Sequence, residues 1–126
     1  MFNFSGKRPD NLGVKDGKLA SCPGSPNCVN SQSQDPQSKI EPLPAVSIAD
    51  LKQVIESMER TKIIEETDNY LYAEFTSKLM GYVDDVEFYR DSNENVVHVR
   101  SASRLGKSDL GVNRKRVETI REQLKK

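Results

Sequence analysis

The chain has 126 residues and a mass of 14.2 kDa, with 35% hydrophobic and 30% charged residues, enough to build one core without disulfides or metal. Nineteen Lys and Arg balance nineteen Asp and Glu, and this zero net charge excludes the basic excess of a protein held to nucleic acid or anionic lipid by bulk charge. No apolar run approaches the roughly 18 residues that span a bilayer, and the first ten residues lack a secretory apolar stretch, so the chain reads as cytoplasmic, with no nucleic-acid or membrane partner.

All six prolines and both cysteines fall within residues 1–45, together with Gly6, Gly13, Gly17 and Gly24. This composition breaks helices and central strands and predicts a long irregular arm. Apolar residues Phe2, Phe4, Leu12, Val14, Leu19, Val29, Ile40 and Leu43 predict that the arm packs on a body formed by residues 46–126.

The body opens at Ser47, where SIAD reads as a helix N-cap with an acidic residue three positions on. Ile48, Leu51, Val54, Ile55 and Met58 recur at spacings of three and four, which predicts a helix to about residue 60 with one apolar face. From Thr61 the period becomes two, and residues 62–66 and 70–76 form a first hairpin around Thr67, Asp68 and Asn69, with Leu71, Ala73 and Phe75 on one face. Residues 82–90 and 96–103 form a second hairpin, in a register that opposes Asp91 to Val96, Phe88 to Val99 and Val86 to Ser101. The other face then pairs Glu87 with Arg100 and Tyr89 with His98, and Tyr70 and Tyr72 read as outer-face packing for a helix or the arm. Asn113 reads as the N-cap of a terminal helix, with Val112 stapled onto Val117 and an inward stripe of Val117, Ile120 and Leu124. The expected fold is a single α+β domain: a two-layer sandwich of a mainly antiparallel four-stranded sheet, two helices on one face, and the irregular arm.

Charge is uneven along the chain: residues 1–45 carry a net +1, residues 46–95 a net −7 and residues 96–126 a net +6. The last helix opens with Arg114, Lys115 and Arg116, where free N–H groups and the helix dipole already make the surroundings positive. Three cations there need a nearby anion. The preceding segment, SASRLGKSDLG, adds Arg104 and Lys107 to glycines and hydroxyls that suit an oxyanion. That anion is either the protein's own Asp84, Asp85 or Asp109, or a ligand. Asp84 falls on the apolar row of Val86 and Phe88, so it lies either at a solvated strand end or in a buried pair with Arg104 or Arg114.

Ser101 to Ser108 imitates a phosphate-binding GxxxxGK[ST] loop, but no helix follows directly and too little chain remains for a parallel sheet. No metal or cofactor is expected, because a zinc site built on Cys22 and Cys28 needs two more ligands and His98 is the only histidine. The CPGSPNC turn leaves three readings open: reduced packing residues, a disulfide that is structural or redox-active, and a reactive thiol.

Three segments, RPDNLGVKDGKLASCPGSPNCVNSQ (residues 8–32), GYVDDVEF (81–88) and RSASRLGKSDLGVNRKRVE (100–118), together resemble the domain of unknown function 1499 family of bacteria and photosynthetic eukaryotes. The resemblance implies no activity, substrate or cofactor. It draws attention to Cys22, Pro23, Ser25, Pro26, Asn27, Cys28, Asp84, Asp85, Arg100, Ser101, Ser103, Arg104, Gly106, Asp109, Gly111, Asn113, Arg114 and Arg116. Lys39 stands where many of its members carry an aromatic or histidine residue, which argues against a base there.

The expected function is a binding module. Arg100, Ser101, Ser103, Arg104, Asp109, Asn113, Arg114 and Arg116, with Asp84 and Asp85 and the cysteine turn folded against them, would line a polar cleft for an anionic small molecule or an acidic protein surface. The competing expectations are a thiol enzyme or redox switch at Cys22 and Cys28, and a structural protein whose polar residues clamp the arm to the sheet.

Overall fold

The computed structural model describes residues 5–24, 26–78, 80–106 and 111–126. In chain order the elements are β1 (Cys28–Asn30), α1 (Ile48–Glu56), β2 (Thr61–Glu66), β3 (Tyr70–Thr76), β4 (Val83–Asp91), β5 (Val96–Ser103) and α2 (Val112–Leu124). The strands form one antiparallel sheet in the order β1-β5-β4-β3-β2, five strands where four were expected. The additional strand is β1, which places Cys28, Val29 and Asn30 opposite Ala102, Ser101 and Arg100. Three residues between prolines show no period of two, so the sequence gives this edge strand no signature.

Ser47 starts α1 by accepting the Asp50 N–H on its Oγ at 3.0 Å, and Ile48, Leu51 and Ile55 are buried beneath it. The helix stops at Glu56, short of the expected residue 60, because the Ser57 Oγ donates back to the Val54 carbonyl and Arg60 turns to a φ of +57°. The second hairpin pairs in the expected register, Phe88 opposite Val99 and Asp91 opposite Val96; the first forms as expected with a bulge between Ile63 and Glu65 on the edge strand β2, and the two hairpins join through Leu71 opposite Phe88. Inward residues Leu71, Ala73, Val86, Phe88, Val97 and Val99 meet Leu51 and Ile55 of α1 and Val117 and Ile120 of α2 in one core. Fully burying each of these large side chains contributes roughly 1.5–3 kcal/mol.

The start of α2 differs from the expectation. Gly111, at a φ of +81°, takes the cap position without a side-chain hydrogen bond, and Asn113 lies inside the first turn, completely buried. Val112 is 47% exposed, not buried against Val117 as the expected staple would place it.

Both helices cover one face of the sheet, joined in that core by Val29, Ile40 and Leu43 of the arm, and the earlier part of the arm covers the other face. Leu12, Val14 and Leu19 pack against Tyr70, Tyr72 and Tyr89 in a second apolar cluster. Between them the arm reverses at Asp16-Gly17, both at positive φ, with Lys15 and Lys18 exchanging backbone hydrogen bonds of 2.9 and 3.0 Å. The molecule therefore has a third, irregular layer over the outer face. Phe2 and Phe4, expected as further anchors, lie outside the described residues.

Candidate functional site

Alternation along β4 and β5 divides the expected site residues between opposite faces of the sheet. On the helix face, Asp84 pairs with Arg116 at 2.8 Å, not with Arg104 or Arg114, and the Arg116 guanidinium also lies 4.9 Å from the Phe75 ring centre. Arg116 donates to Asn113 Oδ1 at 2.8 Å and to Ser101 Oγ at 3.2 Å. Asn113 accepts from Ser101 Oγ and donates to Ser103 Oγ and to the Asn27 carbonyl. This network ties α2 to β5 and to the cysteine turn. Arg114 donates to the carbonyls of Gln37 and Lys39, both at 2.9 Å, and Lys115 is exposed. The cationic helix start is thus answered by a protein carboxylate and by main-chain oxygens.

The outer face carries a different polar layer. Arg104 grips Asp85 with two donors, at 2.9 and 2.8 Å, and reaches Glu74 at 2.6 Å. Arg8, on the arm, holds the same Glu74 oxygen at 2.7 Å, and the Tyr72 hydroxyl donates to Asp85. Burial alone would raise the Glu74 carboxyl, but the hydrogen bonds from Arg8 and Arg104 outweigh it and hold the group below its ordinary 4.5. The arm closes over this cluster at Gly6, where a Cβ would lie only 3.1 Å from the Arg104 Cβ.

Next along the sheet is a looser pair. Glu87 accepts from the Tyr70 hydroxyl and from the Gly13 N–H at 2.7 Å, but its other oxygen lies 4.0 Å from Arg100 Nη1 and receives no hydrogen bond. Arg100 is only 5% exposed and donates to the Ser21 carbonyl at 3.3 Å, while its Nε has no acceptor among the described residues. A buried donor without a partner costs roughly 1–3 kcal/mol. Desolvation pushes the Glu87 carboxyl up and the Arg100 guanidinium down, so both charges are incompletely stabilised where they stand.

Beside Arg100 and Arg104 lies a cleft of about 480 Å³ between the sheet and the arm. Its walls are Asp85, Arg100, Ala102, Ser103 and Arg104 on the sheet side and Lys7, Pro9, Asn11, Ser21, Cys22 and Pro23 on the arm side. Of the expected site residues, Asp85, Arg100, Ser103, Arg104 and Cys22 meet here. Asp84, Asn113, Arg114 and Arg116 belong to the helix side and do not; Ser101 turns inward opposite Val86. Asp109, Lys107 and Ser25 lie outside the described residues. Cys22 and Cys28 are joined in a disulfide, which closes off the reading of both as reduced packing residues.

Lys7, Arg8, Asn11, Tyr72 and Glu74 are components that motif reading misses. The available signal was the outer row itself, in which alternation aligns Glu74, Asp85, Glu87, His98 and Arg100 beneath an arm that carries Leu12, Val14 and Leu19.

Asp91, Glu94 and His98 bring one ligand atom each within 4.8 Å of one another at the β4–β5 turn. Both ring nitrogens of His98 are engaged there, Nε2 with Glu94 Oε1 and Nδ1 with Ser31 Oγ, each at 2.9 Å. His98 is therefore held by side chains other than the cysteines and is not placed as their base.

A family model described as "Protein of unknown function (DUF1499)" matches residues 18–124. No curated protein and no solved structure matches the chain. No described helix is long and apolar enough to cross a membrane.

Proposed function

Because the chain belongs to the DUF1499 family, its role has to be read from its own site, and we propose that the cleft between arm and sheet binds a small anionic molecule. One observation carries this reading: Arg100 is buried in the wall of that cleft with its Nε unsatisfied among the described residues. A carboxylate or phosphate oxygen would supply the missing acceptor and balance a cation that Glu87, 4.0 Å away, neutralises poorly. Asp85 does not oppose such a ligand, because Arg104 and Tyr72 already engage its carboxylate. Lys7, exposed at the rim and in no ion pair among the described residues, adds attraction at longer range.

Isothermal titration with inorganic phosphate, sulfate and short dicarboxylates tests the proposal. Binding should be weakened by Lys7→Ala, strongly reduced by Arg100→Lys, which keeps charge but loses the Nε donor, and unaffected by Arg114→Ala on the other face. If no anion binds to the wild-type protein, or if Arg114→Ala removes the binding, the cleft is not an anion site.

A second reading, thiol–disulfide chemistry at Cys22 and Cys28, is favoured by the place of Cys22 in the same wall.

A further inference from the structure

The disulfide lies beside the cationic wall by construction. Cys28 opposes Ala102 in the β1–β5 register, so it is a diagonal neighbour of Arg100 on the same face of the sheet. From the other side, Arg100 Nη2 donates to the carbonyl of Ser21, the residue preceding Cys22. The two sulfurs differ in access: Cys28 is 3% exposed, whereas Cys22 is half-buried and lines the cleft. An attacking group entering the cleft therefore reaches Cys22 first, and the sulfur that must leave belongs to a residue diagonal to Arg100 on the same face of the sheet.

We propose that this disulfide exchanges with a low-molecular-weight thiol bearing a carboxylate or other anionic group, an inference that rests on the cleft being an anion site. The anionic group pairs with Lys7 and the free Arg100 Nε, and the thiolate sulfur meets Cys22 Sγ. A new bond forms between the incoming sulfur and Cys22 Sγ, the Cys22–Cys28 bond breaks, and its electron pair leaves on Cys28 Sγ, which takes a proton from water. The product is a mixed disulfide on Cys22 and a free thiol on Cys28. A second molecule of the same thiol then attacks the ligand sulfur of that mixed disulfide and releases Cys22 as a thiolate, which is protonated in turn. Two thiols are oxidised to one disulfide and the cysteine pair is reduced. The guanidinium favours the leaving thiolate by its charge, and a better-stabilised thiolate leaves faster.

The test incubates the oxidised full chain with 3-mercaptopropionate, 2-mercaptoethanol or cysteamine, follows the reaction by intact mass, and locates the adduct by peptide mapping. After correction for each thiol's thiolate fraction, the anionic thiol should react on the order of tenfold faster than the neutral one, and the cationic thiol slowest. High salt or Lys7→Ala should remove most of that advantage, and the adduct should sit on Cys22. Equal corrected rates for the three thiols, an adduct on Cys28, or no adduct would overturn the proposal. Titration with 3-(methylthio)propionate, which keeps the carboxylate but cannot exchange, separates the two levels of the argument. If it binds while the anionic thiol shows no kinetic advantage, the exchange is refuted and the anion site stands; if it does not bind, the anion site fails and the exchange proposal falls with it.

Discussion

Replacing Arg104 by Ala removes the guanidinium that holds two carboxylates on the outer face. The Arg104 side chain is 7% exposed and that of Asp85 1%, so the pair is screened little by water. Removing one partner of a buried ion pair typically costs about 3–5 kcal/mol. The lower end applies here, because Asp85 retains the Tyr72 hydroxyl and Glu74 retains Arg8. A loss of about 3 kcal/mol is a large fraction of the roughly 5–15 kcal/mol that stabilises a domain, and corresponds to a fall in Tm of about 10 °C at this chain length. Urea unfolding of wild type, Arg104→Ala, Asp85→Ala and the double variant measures it and closes a double-mutant cycle. The double variant should be more stable than the sum of the two losses predicts, by at least about 1 kcal/mol, because it no longer strands a buried charge. A loss below about 1 kcal/mol in Arg104→Ala, with no coupling to Asp85, is what a solvated surface pair gives and would refute the clamp.

Asn113→Ala removes the acceptor of Ser101 Oγ and a donor to Ser103 Oγ and the Asn27 carbonyl, so chemical unfolding should show a loss of roughly 2–3 kcal/mol. Arg114→Ala loses only hydrogen bonds to main-chain carbonyls near the surface and should cost about 1 kcal/mol in the same assay. Gly13→Ala forces a side chain onto a φ of +101° at the residue whose N–H holds Glu87; a loss of roughly 1–2 kcal/mol is expected, with faster amide exchange across residues 12–19. Glu74 is held below its ordinary 4.5, so its contribution is fully present above that pH and is lost as pH falls below it; thermal melts from pH 6 to about 3 should show Glu74→Gln losing less stability over that interval than wild type.

The body of the fold is legible because its signals are periodic. Leu71, Ala73 and Phe75 at a spacing of two, and Val117, Ile120 and Leu124 at three and four, specify face and element together, and the Asp91–Val96 turn fixes the register of the whole second hairpin. What escapes is set by distant contacts. Nothing local in Cys28, Val29 and Asn30 announces that β5 has an open edge for them, and Asn113 resembles a cap although it is drawn inward by Ser101, Ser103 and Asn27. The same holds for the site. Of the cations at Arg114, Lys115 and Arg116, the structure gives Arg116 an anion from its own Asp84 and Arg114 main-chain carbonyls, whereas the pairing of Arg100 with Glu87 is legible from strand alternation but its contact with Ser21 is not, because that residue comes from an arm nearly eighty residues earlier.

The cleft has one wall on the sheet and the other on a segment fastened by Arg8 to Glu74, Gly13 to Glu87 and Leu19 to Gln32. A molecule lodged between them acts as an additional fastener, so its affinity and the closing of the segment are two measures of one free energy. Thermodynamic reciprocity then requires that cutting the Arg8 tether weaken the guest by the same factor by which the guest tightens the tether. Occupancy of the gap can thus be reported by protection from proteolysis in a stretch of chain that need not touch the guest at all.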